Sequence, residues 1–245
     1  MESNTLAAAG AAPAARRLVI GVTGASGQIY AARIIEVVRH LQTAASAEAG
    51  APGAPASAPR IDLDLIFTDT ARQVYPQETG LPLPVGLTPN DTYYNRNASG
   101  SNAPDAFIII PCTMGTLARI AAGTSDDLIC RVADVQLKER RPLIIVPRET
   151  PYSLIHLRNM TTLTEAGAII APASPAFYAV GQSDINQVIT QFVYRILSIA
   201  RIYPLPEEQQ WQGEPAGNRP YKLRSTLYTW REAVRFDLKF PTCAL

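Results

Sequence analysis

The segment Leu18-Val19-Ile20-Gly21-Val22-Thr23-Gly24-Ala25-Ser26-Gly27 decides the fold. Its first five residues are an apolar run without alternation, the pattern of a strand buried on both faces. Thr23 to Gly27 break the run with turn-forming residues. From Gln28 to Leu41, apolar Tyr30, Ile34, Val37, Val38 and Leu41 recur at helical spacing, and Arg33, Glu36, Arg39 and His40 fill the opposite face. The segment reads as strand, glycine loop, helix.

The same punctuation repeats along the chain. Residues 61–67 read as a strand and 69–78 as a helix. Residues 106–110, 143–146 and 168–170 read as strands, each stopped by a proline at 111, 147 or 172. Residues 113–122, 127–140, 154–165 and 184–202 have helical spacing. Five βα repeats with buried strands predict an α/β fold, a single Rossmann-like (flavodoxin-like) domain whose parallel sheet carries helices on both faces. Ligands in that architecture sit beyond the carboxyl ends of the strands, and the unusual sequence lies there, at 23–27, 68–69, 111–116, 147–151 and 172–178.

The expected organisation is a disordered Ala-rich arm over 1–16, a domain over 17–202 and a polar tail over 203–245 with Trp211 and Trp230. Residues 43–59 contain nothing apolar larger than Ala and carry prolines at 52, 55 and 59, which predicts a mobile insertion. Residues 80–104 form a polar, Pro-rich loop too long for a mere connector.

Composition narrows the function. Of 245 residues, 47% are apolar and 18% charged, the balance of a soluble globular protein. The net charge of +1 argues against nucleic-acid binding through a broad basic field. No apolar run approaches the ~20 residues of a membrane span. Three widely spaced cysteines (Cys112, Cys130, Cys243) suggest a reducing compartment, and with two histidines, His40 and His156, no metal site is expected. That places the chain in the cytoplasm, or in the mitochondrion if the chain is fungal and the arm is a transit segment.

Five motifs carry chemistry. The glycine loop suits a nucleotide-like ligand over a plain tight turn, because glycines admit a phosphate and the next helix offers free N–H groups. Short-chain dehydrogenases share Thr-Gly-Ala-Ser, but they want glycines where Gln28 and Tyr30 stand, and no Tyr-x-x-x-Lys pair is found. Pro111-Cys112-Thr113-Met114-Gly115-Thr116 suits an anion or flavin phosphate, against the simpler reading that Thr113 caps a helix. Cys112 has no nearby histidine to activate it and reads as a small core residue. Arg131, Asp134 and Lys138 share a helix face, either complementing the helix dipole or meeting a phosphorylated substrate. Arg148 and Glu149, between Pro147 and Pro151, form a stiff loop that reads as an anion clamp with a proton relay. Tyr178, after Pro175-Ala176-Phe177, and Arg195 could complete a phosphate cage.

Taken in order, these segments resemble the UbiX-type flavin prenyltransferases (UbiX/Pad family) of the flavin-containing cysteine decarboxylase-like superfamily, over about residues 17–202. The most specific stretch runs from Arg131-Val132-Ala133-Asp134 through Lys138-Glu139-Arg140-Arg141-Pro142 to Pro147-Arg148-Glu149-Thr150-Pro151, followed by Asn159-Met160. The resemblance implies a metal-independent enzyme that joins a dimethylallyl group, from dimethylallyl phosphate, to N5 and C6 of reduced FMN. The product, prenylated FMN, would serve a UbiD-type decarboxylase. By position, Ser26 and Glu78 would face the reacting edge of the flavin, and Gly24, Ala25, Ser26, Thr68, Thr113, Thr116 and Arg131 would bind it. Ser99, Lys138, Arg148, Tyr178 and Arg195 would hold the prenyl phosphate, with Lys138 and Glu149 counted among the catalytic groups. Ser99 would come from an adjacent subunit of a homo-oligomer, a dodecamer by resemblance. Tyr93 stands where bacterial members typically carry Trp, and Thr68 and Thr113 replace serines. Competing readings are a cysteine decarboxylase-like flavoprotein and a flavin carrier.

Overall fold

The computed structural model describes residues 15–49, 60–176 and 185–210. Six strands form one parallel sheet: β1 (Arg16–Val22), β2 (Ile61–Phe67), β3 (Leu87–Thr88), β4 (Ala106–Cys112), β5 (Leu143–Pro147) and β6 (Ile169–Ile170). Their order is β3-β2-β1-β4-β5-β6. Along β1, Leu18 pairs with Leu63 on one side and with Ala106 on the other. Leu18, Ile20, Phe107, Ile108, Ile109 and Ile144 have no exposed surface, as a parallel sheet covered on both sides demands.

Six helices supply the cover: α1 (Gln28–Ala49), α2 (Asp69–Thr79), α3 (Met114–Ala121), α4 (Leu128–Lys138), α5 (Leu154–Glu165) and α6 (Ile185–Ile199). Helices α1 and α6 bury Ile34, Val38, Val193 and Leu197 in the core on one face. Helices α3 and α4 bury Leu117, Leu128, Ile129 and Val132 on the other. The sheet order reverses between β1 and β4, so the crevice for a ligand opens at the carboxyl ends of these two strands.

Several boundaries differ from the sequence reading. Strand β4 is not stopped by Pro111 but runs through it to Cys112, which pairs with Pro147 of β5. Helix α1 continues to Ala49, so residues 43–49, expected in a mobile insertion, are helical. Alanine favours a helix without leaving an apolar stripe, and Gln42 Nε2 donates to the Ile61 carbonyl at 3.0 Å to hold this end on β2. The supposed 80–104 loop contains β3, which pairs Leu65 with Leu87 and Ile66 with Thr88. Two 3-10 turns follow at Arg96–Ala98 and Gly100–Asn102, tied down by fully buried Asn97. Finally, Arg16 belongs to β1 rather than to the arm. The rest of the arm to 14, residues 50–59 and the tail beyond 210 lie outside the described residues.

Candidate active site

The strand-end loops are built from helix caps. Thr68 directly follows β2 and accepts the Ala71 amide at the start of α2, and its own amide donates to the Val22 carbonyl at 3.0 Å. Thr113 accepts the Thr116 amide at 3.1 Å and so opens α3. Thr23 joins the loops after β1 and β4: its hydroxyl donates to the Pro111 carbonyl at 2.9 Å and accepts the Thr113 amide at 2.8 Å. Helix N-termini α1, α2 and α3 therefore gather at one rim, where free N–H groups and hydroxyls favour an anion.

Within this rim the glycine loop meets α2. Glu78 Oε2 accepts the amides of Gly27 at 2.8 Å and Gln28 at 2.9 Å, and the Ser26 side chain lies beside the carboxylate and favours its charged form. Arg148, directly after β5, donates from Nε to the Ser26 carbonyl at 2.9 Å. Desolvation pushes the Glu78 carboxyl upward, but the Ser26, Gln28 and Gly27 hydrogen bonds and the Arg148 charge outweigh it and hold it below the usual range. Burial raises the Tyr30 hydroxyl, with Arg148 pulling partly back. The Tyr30 ring stands edge-on to Phe192, with centroids 5.3 Å apart.

A second group gathers elsewhere. Arg131, on α4, donates from Nε to the Ala98 carbonyl at 3.1 Å and pairs with Asp134 at 2.7 Å. Lys138, at the end of α4, pairs with Glu139, and both side-chain tips lie against Gly100 beside Ser99. This group sits where the strands begin: Arg141 reaches Asp105, just before β4, and Gln136 donates to the Pro142 carbonyl, just before β5.

Ser26, Glu78 and Arg148, placed together by the resemblance, are neighbours in the structure. Gly24 and Ala25 lie in the same loop, and Thr68, Thr113 and Thr116 lie on the same rim. The single cage expected of Lys138, Arg148 and Arg195 is not formed within one chain. Helix α4 delivers Lys138 to the entrance of β5, whereas Arg148 stands at its exit, about 15 Å away at the rise of a parallel strand. Arg195 is exposed on α6 with no ion-pair partner among the described residues, and Glu149 accepts the Thr150 amide at 3.1 Å. Tyr178 lies outside the described residues. Tyr93 is half exposed and donates to the Ser125 carbonyl at 2.7 Å.

Sequence reasoning passed over two features. Gln28 is fully buried under the glycine loop; a polar residue opening an apolar helix face was the available signal. Asp126, Asp127 and Cys130 also place ligand-type atoms within 4.8 Å of one another. The Arg119 guanidinium already bridges the two carboxylates at 2.8 and 3.0 Å, and burial pushes the Cys130 thiol up, so this trio is an ion-paired helix start.

The donor set on the rim fits FMN. Hydroxyls of Thr68, at the start of α2, and of Thr113 and Thr116, at the start of α3, offer donors for a phosphate and polar ring edges, and Glu78 is the carboxylate at the same rim. Comparison with known proteins agrees. The sequence profile of the Flavoprotein family matches residues 10–197. Flavin prenyltransferase UbiX of Methanocaldococcus jannaschii is 38% identical over 192 residues, 76% of this chain and 94% of that protein. Its counterpart in Escherichia coli is 38% identical over 206 residues, 81% of this chain and 99% of the relative. Among solved structures, AnUbiX in complex with FMN and dimethylallyl pyrophosphate matches at a TM-score of 0.69 and 34% identity, covering 82% of this chain and all of that one. A dodecameric FMN-dependent UbiX-like decarboxylase from Escherichia coli O157:H7 matches at 0.65 and 32%, covering 80% and 100%. Matched by the family profile over most of its length, and 32–38% identical to these proteins over at least three quarters of its length, the chain belongs to the Flavoprotein family, among the UbiX-type flavin prenyltransferases.

Proposed function

We propose that the protein joins a dimethylallyl group to N5 and C6 of reduced FMN, releasing phosphate and forming prenylated FMN. The observation that carries this is the Ser26–Glu78–Arg148 group on the glycine loop, set beside the hydroxyl-lined rim. When bound, reduced FMN supplies the nucleophilic atoms. Thr68, Thr113, Thr116 and residues 24–26 would hold it. Ser26 and Glu78, side by side at the loop, would hold and pass a proton at the reacting edge, Glu78 staying ionised at neutral pH because its neighbours favour the charged form. Arg148 would draw the leaving phosphate, with Glu149 beside it in sequence to tune that charge.

The cage is completed between copies. Lys138, Ser99 and Arg131 of one subunit would close over Arg148 of another, with Tyr178 and Arg195 as further contacts to the phosphate and Arg131 reaching the flavin. Leu154, Ile155 and Leu157 on α5 are 60%, 68% and 47% exposed, an apolar face that supports packing against a second copy. The dodecameric relative is the model for this assembly. A UbiD-type decarboxylase is the proposed acceptor of the product. No helix among the described residues is long and apolar enough to cross a membrane.

Anaerobic incubation of the full chain with reduced FMN and dimethylallyl phosphate, followed by mass spectrometry of the flavin, tests the reading. Gain of one five-carbon unit supports it; unchanged FMN overturns it.

A further inference from the structure

We propose that Gln28 is a positioning residue whose buried carboxamide shapes the glycine loop so that the Ser26 hydroxyl meets the Glu78 carboxylate. Gln28 has no exposed surface. Its Nε2 donates to the Thr23 carbonyl at 2.8 Å and to the Ala25 carbonyl at 2.7 Å. Both acceptors belong to the loop that ends β1, so one side chain turns two loop carbonyls inward. Ser26, between Ala25 and Gly27, is thereby left on the exposed side. The backbone amide of Gln28 itself donates to Glu78 Oε2 at 2.9 Å. One residue thus grips the loop from beneath and the carboxylate from the side.

The amide can face only one way. With Nε2 satisfied by two carbonyls, a reversed carboxamide would set oxygen against oxygen. Its Oε1 has no hydrogen-bond partner in the structure, so the donor end alone does the positioning. A space-filling role would be met by any side chain of similar length. The donor role would not, and methionine separates the two: it keeps the unbranched shape and offers no N–H.

The inference rests on Ser26 and Glu78 being the reacting pair, and the test uses full-length Gln28→Met and Gln28→Glu. In the flavin-free wild-type protein, carbon-13 NMR of the Glu78 carboxyl should show titration below the ordinary glutamate range. In Gln28→Met the titration should move up toward the ordinary range as the Ser26 and Gly27 donors lose alignment. Turnover should fall by at least about tenfold in kcat, with KM for dimethylallyl phosphate changed less than about twofold. Gln28→Glu donates one hydrogen bond when protonated and none when ionised, so its turnover relative to wild type should rise as pH falls. An unmoved Glu78 titration in Gln28→Met, or wild-type kcat with it, overturns the inference. If Gln28→Met does not fold, a Gln28→Glu to wild-type ratio that is flat with pH overturns it instead. A wild-type protein that adds no five-carbon unit refutes the proposed function, while the carboxyl titration still decides the role of Gln28.

Discussion

The carboxylate of Glu78 stands 2.8 Å from the backbone amide of Gly27, although 51 positions separate the two residues. The glycine loop of a nucleotide-binding fold offers its amides to an anion, and here the chain's own α2 supplies one. Glu78→Gln keeps the shape and removes the charge. Turnover should fall by at least about a hundredfold if the pair moves a proton. Stability gives a second reading. The folded-state pKa lies below the unfolded one, so the contribution is present above the unfolded value and is lost as pH falls through the folded value. The wild type should exceed Glu78→Gln by under about 1 kcal/mol at neutral pH, the carboxylate being exposed, and the gap should close between about pH 5 and 3. Urea unfolding at several pH values measures it.

Gly24 has a steric reason to be glycine. A Cβ added there would stand 2.7 Å from Thr70 Cβ and closer still to its methyl group. The loop after β1 is thus wedged against the first turn of α2. Gly24→Ala should cost about 1–3 kcal/mol and weaken FMN binding, as overpacking does. Thr70→Ser should rescue little, because the Cβ of residue 70 remains. Thermal melts of the single and double variants check both statements.

The alternation of strands and helices was legible because buried parallel strands leave uninterrupted apolar runs, as in Ile108-Ile109-Ile110, with a proline within two residues of each exit, although β4 runs through Pro111 and β5 includes Pro147. Strand β3 was not, since Leu87 and Thr88 form two rungs inside a Pro-rich segment and owe their extended form to pairing with β2. The far end of α1 was hidden for a different reason: alanines extend a helix without writing a stripe. Individual strand-end residues such as Arg148 could be singled out from their framing by prolines. Which of them share one end of the sheet could not be read from spacing. Lys138 and Arg148 are ten positions apart, yet the turn between α4 and β5 puts a whole strand between them.

Cys112 and Cys130 are buried free thiols. Burial pushes Cys112 up to about 12 and Cys130 higher still, so neither offers thiolate at neutral pH. Iodoacetamide at pH 8 should leave both unlabelled in the native protein and label both after denaturation, by peptide mass mapping. Cys112→Ala should retain turnover within about threefold, since the side chain is core and no reacting group. Native-state labelling of Cys112 would reverse that assignment.

The separation of Lys138 from Arg148 makes a prediction about the assembly. If each site takes Arg148 from one subunit and Lys138 from another, Lys138→Ala and Arg148→Ala chains each lack one part of every site, and each should lose nearly all turnover alone. Mixed oligomers formed by co-expression contain some sites that draw an intact Arg148 from one variant and an intact Lys138 from the other. Random mixing at equal amounts makes roughly a quarter of the sites whole, so turnover should return to about that fraction. A site confined to one chain admits no such recovery, because every chain in the mixture is defective. Turnover of the co-expressed mixture, compared with each variant purified alone, therefore reads directly whether the two ends of β5 meet across a subunit boundary.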